Sequence, residues 1–287
     1  MPNEGSSSTD KKFSFEFFPP RTSAGVEKLD EVHATLAALK PDFFSVTYGA
    51  GGSTRDGTKA TVLRYKAAGS NVAPHLSFGG ASEEEIVKLL GEYQQAGITR
   101  LVALRGDIPS GAGGASTHRY ASELVDFVKT NFGDHFHIEV ACYPEVHPDS
   151  TDYESDVRYF KQKVDAGAHS AITQYFYSAD AYFYFLDYCS AHGIHIPIVP
   201  GIMPIGNYAS LIRFSKGCGA EIPQWLNRRL SLYGENDSDL RAFGLDVVTN
   251  LCEQLLAGGA PGLHFYSMNL AGTVSRLWDN LDLSNAR

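Results

Sequence analysis

Residues 13–21 read Phe-Ser-Phe-Glu-Phe-Phe-Pro-Pro-Arg, and this stretch indicates how the chain folds. Side chains of a strand alternate between its two faces, so the phenylalanines at 13, 15 and 17 share one face. Ser14 and Glu16 share the other. We expect a strand in a barrel wall, with its apolar face toward packed helices and its polar face toward the barrel interior.

Short strand-like runs recur along the whole chain. The predicted strands cover residues 13–18, 43–48, 72–78, 100–105, 137–143, 170–175, 196–202 and 262–268. Longer segments between them have helical spacing of apolar residues, and strict strand–helix alternation predicts an α/β fold with a parallel sheet. Eight units favour a single-domain (β/α)8 TIM barrel over an open doubly wound sheet, although alternation alone does not separate the two.

The ends of the predicted helices carry local signals. Ser82 and Glu85 form a capping-box pattern at the start of the helix expected over 82–96. Gly97 and Gly167 each follow a helical run and are expected to stop it.

The composition limits the partners. Of 287 residues, 43% are hydrophobic and 20% charged, which suits a large folded domain. A formal net charge of −9 argues against nucleic acid, although a local cluster of cations could still bind an anionic small molecule. No run approaches the roughly 20 apolar residues that span a bilayer, so we expect no membrane partner.

The cysteines and the N-terminal segment indicate where the protein works. The 4 cysteines form no C-x-x-C pair, so we expect free thiols in a reducing compartment and no metal site. Residues 1–12 are polar and Ser-rich, without the apolar run of a signal peptide. We therefore expect a disordered lead-in over 1–12, one barrel over 13–287, and a cytoplasmic protein.

Chemistry in such a barrel is expected at the C-terminal ends of the strands. Glu16 stands among phenylalanines, where burial favours its protonated form and suits a general acid, but an interior ion pair with Arg or Lys explains it equally well. Arg105 and Asp107 flank Gly106 at the end of the fourth predicted strand, where a local ion pair at a turn is the alternative.

Other polar residues follow the fifth and sixth predicted strands. Tyr143 and His147 bracket a proline-rich loop that could equally be a rigid turn. Gln174 offers a donor and an acceptor, which suits an amide or a pterin ring, or simply neighbouring backbone. His75 and Phe214 by themselves are typical of structural residues.

Seven segments together resemble one known family. They are SFEFFPPRT from residue 14, SVTYGA from 45, APHL from 73, ALRGD from 103, YPEVHP from 143, KVDAGA from 163 and AITQ from 171. In this order, over nearly the whole chain, they resemble methylenetetrahydrofolate reductase of the bacterial type. The combination is far more specific than any single segment, and it supports the closed barrel.

The resemblance implies a flavoprotein oxidoreductase with FAD across the C-terminal strand ends. Its reaction is reduction of 5,10-methylenetetrahydrofolate to 5-methyltetrahydrofolate by NAD(P)H, in a ping-pong order through reduced flavin, which feeds methionine biosynthesis within one-carbon metabolism. The bacterial resemblance leans to NADH without excluding NADPH, and it implies a homo-oligomer. The alternatives are flavin-free hydride transfer from nicotinamide to folate, or a non-catalytic barrel that binds folate or flavin.

The resemblance also assigns residues. Glu16 matches the general acid, which also contacts folate, and Asp107 matches the catalytic carboxylate beside the flavin pyrimidine. The matching substrate contacts are Gln174, Tyr182 and Phe214. The matching FAD positions are Thr47, Tyr48, His75, Arg105, Gly106, Asp107, Tyr120, Ala121, Tyr143, His147, Asp156 and Lys163. Arg105 and Lys163 suit the diphosphate.

Two features depart from the family pattern. Leu270 stands where the family commonly has an arginine that helps bind folate, so the contacts of the substrate's carboxylates are open. The chain also ends with the barrel, without the C-terminal regulatory domain of eukaryotic relatives. We therefore do not expect inhibition by S-adenosylmethionine.

Overall fold

The computed structural model describes residues 11–49, 55–79, 81–106, 120–233 and 237–285. Its strands are β1 (Lys12–Phe17), β2 (Phe43–Val46), β3 (Val72–Leu76), β4 (Arg100–Ala103), β5 (His137–Cys142), β6 (Ser170–Thr173), β7 (Ile198–Val199), β8 (Gly201–Ile202) and β9 (Gly262–Tyr266). Its helices are α1 (Ser23–Ala37), α2 (Arg55–Ala67), α3 (Glu83–Gln95), α4 (Ala121–Phe132), α5 (Tyr153–Asp165), α6 (Ala179–Ala191), α7 (Tyr208–Cys218), α8 (Gln224–Ser231), α9 (Asp237–Ala257) and α10 (Ala271–Asn280).

The strands pair in parallel around a closed barrel. Sequential strands neighbour each other from β1 to β6, β9 lies beside β1, and β7 and β8 close the gap between β6 and β9. The predicted seventh strand is therefore present in two pieces, which meet at Pro200. Proline has no N–H for the ladder, and the next N–H, of Gly201, donates to the Thr173 hydroxyl at 2.9 Å. The predicted (β/α)8 barrel is confirmed.

The larger part of the core lies between the strands and the helices. Phe13, Phe15 and Phe17 are all 0% exposed, as their shared strand face predicts. Trp278 on α10 lies with its ring centroid 5.5 Å from those of both Phe13 and Phe15. Since α10 follows β9, this contact packs the last helix against the first strand.

The barrel interior is filled in layers. At the N-terminal end of the strands, the buried Glu139 carboxylate accepts hydrogen bonds from Arg100 and, at 2.8 Å, from the Ser170 hydroxyl. Above it lies a small apolar cluster formed by Phe43, Ala73, Val102 and Ile172. These layers close the barrel from below, so the polar residues above them are reached from the C-terminal end of the strands.

Local signals agree with the structure at several boundaries. The Ser82–Glu85 capping box is present, and Gly97 and Gly167 have φ of +72° and +109° just past two helices. β1 begins at Lys12, inside the predicted lead-in, because its N–H donates to Pro261 O at 2.9 Å; residues 1–10 lie outside the described residues.

Two further observations concern the whole described chain. The four cysteines are free thiols, as predicted. In the described ranges, the helices are either too short or too polar to cross a bilayer.

Candidate active site

A pocket of about 210 Å³ opens at the C-terminal ends of β4 and β5, against α4 and α5. Seven of the predicted flavin positions line it: Arg105, Tyr120, Ala121, Tyr143, His147, Asp156 and Lys163. They come from two strand ends and two helices, and the βα connections of the barrel bring them together. Residues missed by sequence reasoning also line the pocket, namely Ser122, Asp149, Ser150, Tyr159 and Gln162.

The loop after β5 is held in place by the first turn of α5. Asp156 accepts the His147 N–H at 3.1 Å and the Ser150 hydroxyl at 3.0 Å. The His147 ring is inclined by 75° to the Tyr143 ring, with centroids 4.5 Å apart. Burial, with Arg105 nearby, lowers the pKa of His147, so its imidazole is neutral at neutral pH. Because its Nδ1 accepts the Asp149 N–H at 3.0 Å, Nε2 carries the hydrogen.

Of the residues that the structure describes, Lys163 and Arg105 are the cations that face the pocket. The Lys163 ammonium donates to Ala141 O at 2.5 Å, and burial lowers its pKa. Arg105 pairs with Asp149 at 2.5 Å, and these side chains are 38% and 62% exposed. An exposed ion pair is weak, so an anion such as a diphosphate could displace Asp149 from Arg105.

The rim of the pocket is aromatic. Tyr120, at the start of α4, lies parallel to Tyr159 on α5, with centroids 6.2 Å apart and 9° between the rings. Tyr120 is 53% exposed. Exposed, parallel rings offer a planar ligand a stacking surface.

A second polar cluster surrounds Glu16 in the barrel mouth. Glu16 is 9% exposed, and its Oε2 lies 3.5 Å from His75 Nε2 and 3.8 Å from His264 Nε2. Burial lowers the pKa of His75 to about 4, against the opposing effect of Glu16, so this ring is neutral at neutral pH. The alternative prediction for Glu16 is an ion pair with an interior Arg or Lys. Among the described residues, its basic neighbours are instead the two histidines, and Arg100 pairs with Glu139.

Two buried polar atoms at the end of β3 have no hydrogen-bond partner among the described residues. They are His75 Nε2 and Ser77 Oγ. Beside Ser77, Gly106 has φ of +81°, and a Cβ at this position would lie 2.5 Å from Ser77 Oγ. An unpartnered buried polar group costs about 1–3 kcal/mol, so this surface is suited to a ligand that supplies the missing hydrogen bonds and approaches the backbone closely.

The remaining predicted residues lie around the same end of the barrel. Thr47 follows β2, where its N–H donates to Phe17 O at 2.9 Å, and burial raises the pKa of the half-buried Tyr48 hydroxyl. Gln174 follows β6, and its Oε1 accepts the Tyr175 N–H at 3.0 Å. Phe214 on α7 is 38% exposed, as a ring that stacks on a ligand must be.

One predicted residue lies away from the site, and another lies outside the described residues. Tyr182 on α6 is 0% exposed, stacks on Phe176 and donates its hydroxyl to Ile198 O at 2.7 Å. This position does not fit the predicted folate contact, because α6 directs the ring into the core rather than toward the mouth. Asp107 lies outside the described residues, and its role stays a prediction.

Helix α7, which carries Phe214, is tied to the strand ends at two points. The Tyr175 hydroxyl lies 2.9 Å from Ser215 Oγ on α7. The Glu145 carboxylate, in the loop after β5, accepts the Glu221 N–H at 2.7 Å just beyond the helix. These contacts connect α7 to the loop that lines the pocket.

Comparison with known proteins adds a family assignment. The family model described as Methylenetetrahydrofolate reductase matches residues 3–282. The chain is 39% identical over 259 residues to a 5,10-methylenetetrahydrofolate reductase of Pectobacterium carotovorum subsp. carotovorum, covering 90% of this chain and 86% of that protein. Over 292 residues it is also 39% identical to Methylenetetrahydrofolate reductase (NADH) 1 of Arabidopsis thaliana, of which it spans 48%. The chain thus spans about half the length of its plant relatives and most of the bacterial ones.

A solved structure agrees on the fold. It is an uncharacterized protein from Clostridium thermocellum that binds two copies of 5-methyl-5,6,7,8-tetrahydrofolic acid. It aligns with a TM-score of 0.69 over 97% of this chain and 96% of that chain, at 16% identity. At this identity the likeness shows a shared barrel fold.

Proposed function

The chain belongs to the methylenetetrahydrofolate reductase family, and from that premise we propose that it reduces 5,10-methylenetetrahydrofolate to 5-methyltetrahydrofolate. We propose NAD(P)H as the electron donor, FAD as the cofactor, a cytoplasmic location and a role in supplying methionine synthesis. The observation that carries the proposal is the buried Glu16, whose carboxylate lies 3.5 and 3.8 Å from the Nε2 atoms of two histidines in the barrel mouth.

The described residues fit FAD. Arg105 and Lys163 can bind its diphosphate, and Tyr120 offers a ring on which a planar group can stack. Gly106 allows close approach of the backbone, while His75 Nε2 and Ser77 Oγ lack hydrogen-bond partners that a polar ring edge would supply. The chemistry that FAD supplies when bound is hydride transfer, from reduced nicotinamide and then to the folate.

Glu16 is the proposed proton donor. The five-membered ring of the substrate opens when one of its amine nitrogens leaves the methylene carbon, and a protonated amine leaves far more readily. In this step the O–H bond of the carboxyl breaks, an N–H bond forms on the substrate, and the C–N bond opens. The low exposure of Glu16 keeps water from competing for the proton.

Gln174 and Phe214 are the proposed substrate contacts. The exposed Phe214 ring can stack on either the pterin or the nicotinamide, and an amide at the end of β6 can donate to one and accept from the other. Leu270, which is 54% exposed after β9, stands where the family commonly has an arginine. Arg213, whose guanidinium lies 5.1 Å from the Phe214 ring centroid, is the nearby cation that we propose for the substrate's carboxylates.

The visible absorption spectrum of the purified protein is the first test. A flavin spectrum that bleaches under anaerobic NADH and returns on addition of methylenetetrahydrofolate is the expected result. A protein that cannot be reconstituted with FAD yet reduces folate would point to direct hydride transfer, and one that only binds folate or flavin would point to a non-catalytic barrel. Repeating the titration with NADPH determines the preferred donor.

Glu16→Gln tests the proton donor. The amide keeps the shape of the side chain but cannot give up a proton in this way, so folate reduction should fall by roughly 10²–10⁴-fold. Flavin binding and bleaching by NADH should persist. Glu139→Gln is the matched control, since it makes the same change to a buried glutamate at the opposite end of the barrel interior. Unchanged folate turnover in Glu16→Gln would remove the proton-donor role.

A further inference from the structure

We infer that His264 is a positioning residue for Glu16: its ring is fixed by Ser14 and directs an Nε2–H at the carboxylate that remains after the proton leaves. This inference rests on the proposed function. His264 lies on β9, next to β1, and neither sequence reasoning nor the family resemblance assigned it a role. Its neighbour Glu16 lies on the first strand of the barrel, 248 positions earlier in the sequence.

The position of the ring is determined from several sides. Ser14 is paired directly with His264 across the β1–β9 ladder, and its hydroxyl lies 2.7 Å from His264 Nδ1. The Phe43 ring is inclined by only 22° to the imidazole, at 6.1 Å, and Tyr266 meets it edge-on at 5.4 Å. With an exposure of 1%, the ring is enclosed by these neighbours.

This environment also favours one tautomer. Nε2 lies 3.4 Å from Ser45 Oγ and 3.8 Å from Glu16 Oε2, two oxygens that can accept a hydrogen bond. Once Glu16 has given up its proton, a lone pair on Nε2 would face the carboxylate oxygen and repel it. Nε2 therefore carries the hydrogen, and Nδ1 accepts from the Ser14 hydroxyl.

The effect on Glu16 is greatest after proton transfer. At 3.8 Å the contact is longer than a hydrogen bond, so it acts as a dipole directed at the developing negative charge. Among the described residues, the other titratable groups placed against the carboxylate are His75 from β3 and Tyr266 from β9, and β2 adds Ser45. Tyr266 donates its hydroxyl to Thr173 O at 2.7 Å, and burial raises its pKa, so it stays neutral.

His264→Asn is the decisive variant. The amide can keep a bond to Ser14 in place of Nδ1, but it removes the Nε2–H. We expect reoxidation of the reduced flavin by methylenetetrahydrofolate to slow by roughly 10-fold or more, since the N–H dipole directed at the developing negative charge is lost. Bleaching by NADH should stay within about twofold of the wild type, because it needs no proton from Glu16.

The pH profile separates positioning from a general structural role. Without the N–H dipole the carboxylate is less stabilised, so folate reduction in His264→Asn should extend to more alkaline pH than in the wild type, at a lower maximum. His264→Gln, whose longer side chain can return an N–H near the position of Nε2, should recover part of the rate.

His33→Asn is the matched control. His33 is also buried, at 8% exposure, and its Nε2 lies 2.9 Å from the Ser70 hydroxyl, but it belongs to α1 outside the barrel. His33→Asn should lower the free energy of unfolding without changing the pH profile of folate reduction. If His264→Asn fails to fold, Ser14→Ala releases the ring while keeping the imidazole, and it should slow the same half-reaction.

The outcomes separate this inference from the proposed function. If the wild-type protein reduces folate, and the His264→Asn and Ser14→Ala variants keep its rate and pH profile, the inference alone is overturned. A wild-type flavoprotein that bleaches with NADH but is never reoxidised by folate would overturn the proposed function, and the inference with it.

Discussion

Gly106 shows how a single residue shapes the pocket. Its φ of +81° is unfavourable for any residue with a side chain, and Ser77 Oγ and Cβ would lie 2.5 and 2.8 Å from a Cβ there. The same backbone conformation at the end of β4 presents Arg105 to the pocket. Backbone conformation and close packing thus both require glycine at this position. Substituting alanine at two different glycines separates the two effects.

Gly106→Ala should lower the free energy of unfolding by about 2–4 kcal/mol, from backbone strain of about 1 kcal/mol plus the overlap with Ser77. Flavin affinity should fall too, because relief of the overlap displaces Arg105. Gly69→Ala is the control: its φ is +89°, but nothing lies within 4 Å of the added Cβ, so it should show the strain alone. Urea denaturation without flavin measures both; an equal loss would mean that the Ser77 contact is unimportant.

Glu145 connects two elements, the loop after β5 and the segment that follows α7. Burial raises the pKa of its carboxyl from 4.5 to about 7, although the Glu221 N–H that it accepts acts in the opposite direction. The folded protein therefore retains a proton on this group over a pH range in which the unfolded chain has lost it. The contact that holds α7, and with it Phe214, becomes dependent on pH.

The sign of this dependence follows from proton linkage. Between about pH 4.5 and 7 the folded state binds more protons than the unfolded state, so the free energy of unfolding falls as pH rises and levels off above pH 7. Glu145→Gln should remove this slope and be the more stable protein at pH 8, by on the order of 1 kcal/mol for a partly buried group. Urea midpoints at pH 5 and pH 8 measure it.

Glu221→Gln is the control for Glu145. It removes an exposed charge beside the same contact but keeps the backbone N–H that Glu145 accepts. Most of the pH slope should remain in this variant. A slope that persists in Glu145→Gln would assign the pH dependence to other groups.

At the scale of the whole molecule, the barrel follows from local periodicity, because strand parity and helix ends are properties of short segments. The phenylalanines of β1 and the capping box of α3 were predicted from such segments and confirmed. The break at Pro200 was missed because the Thr173 hydroxyl that replaces the ladder bond belongs to another strand. The pattern of one segment does not reveal that a side chain of another strand replaces a ladder hydrogen bond.

The site was predicted only as far as strand ends determine it. Pocket residues such as Arg105 and His147 lie in the loops that follow β4 and β5, and the barrel brings these loops together. The orientation of Tyr182 depends on how α6 packs, which no pattern within α6 reveals. His264 could have been found, since alternation along β9 places it on the interior face with Tyr266, but its partners Ser14 and Glu16 lie at the other end of the sequence.

The contribution to stability of the packing between the first and last strands and α10 can be measured by substituting the two tryptophans. Trp278 is 0% exposed against Phe13 and Phe15 of the first strand and Phe265 of the last, so Trp278→Ala should lower the free energy of unfolding by about 3–5 kcal/mol. Trp225 is 56% exposed, and Trp225→Ala should change the free energy of unfolding by no more than about 0.5 kcal/mol. Urea denaturation followed by circular dichroism measures both at the same flavin concentration. A loss below about 1 kcal/mol in Trp278→Ala would mean that the β1–β9 ladder closes the barrel without this helix, and the packing of α10 would then be a consequence of closure rather than a cause.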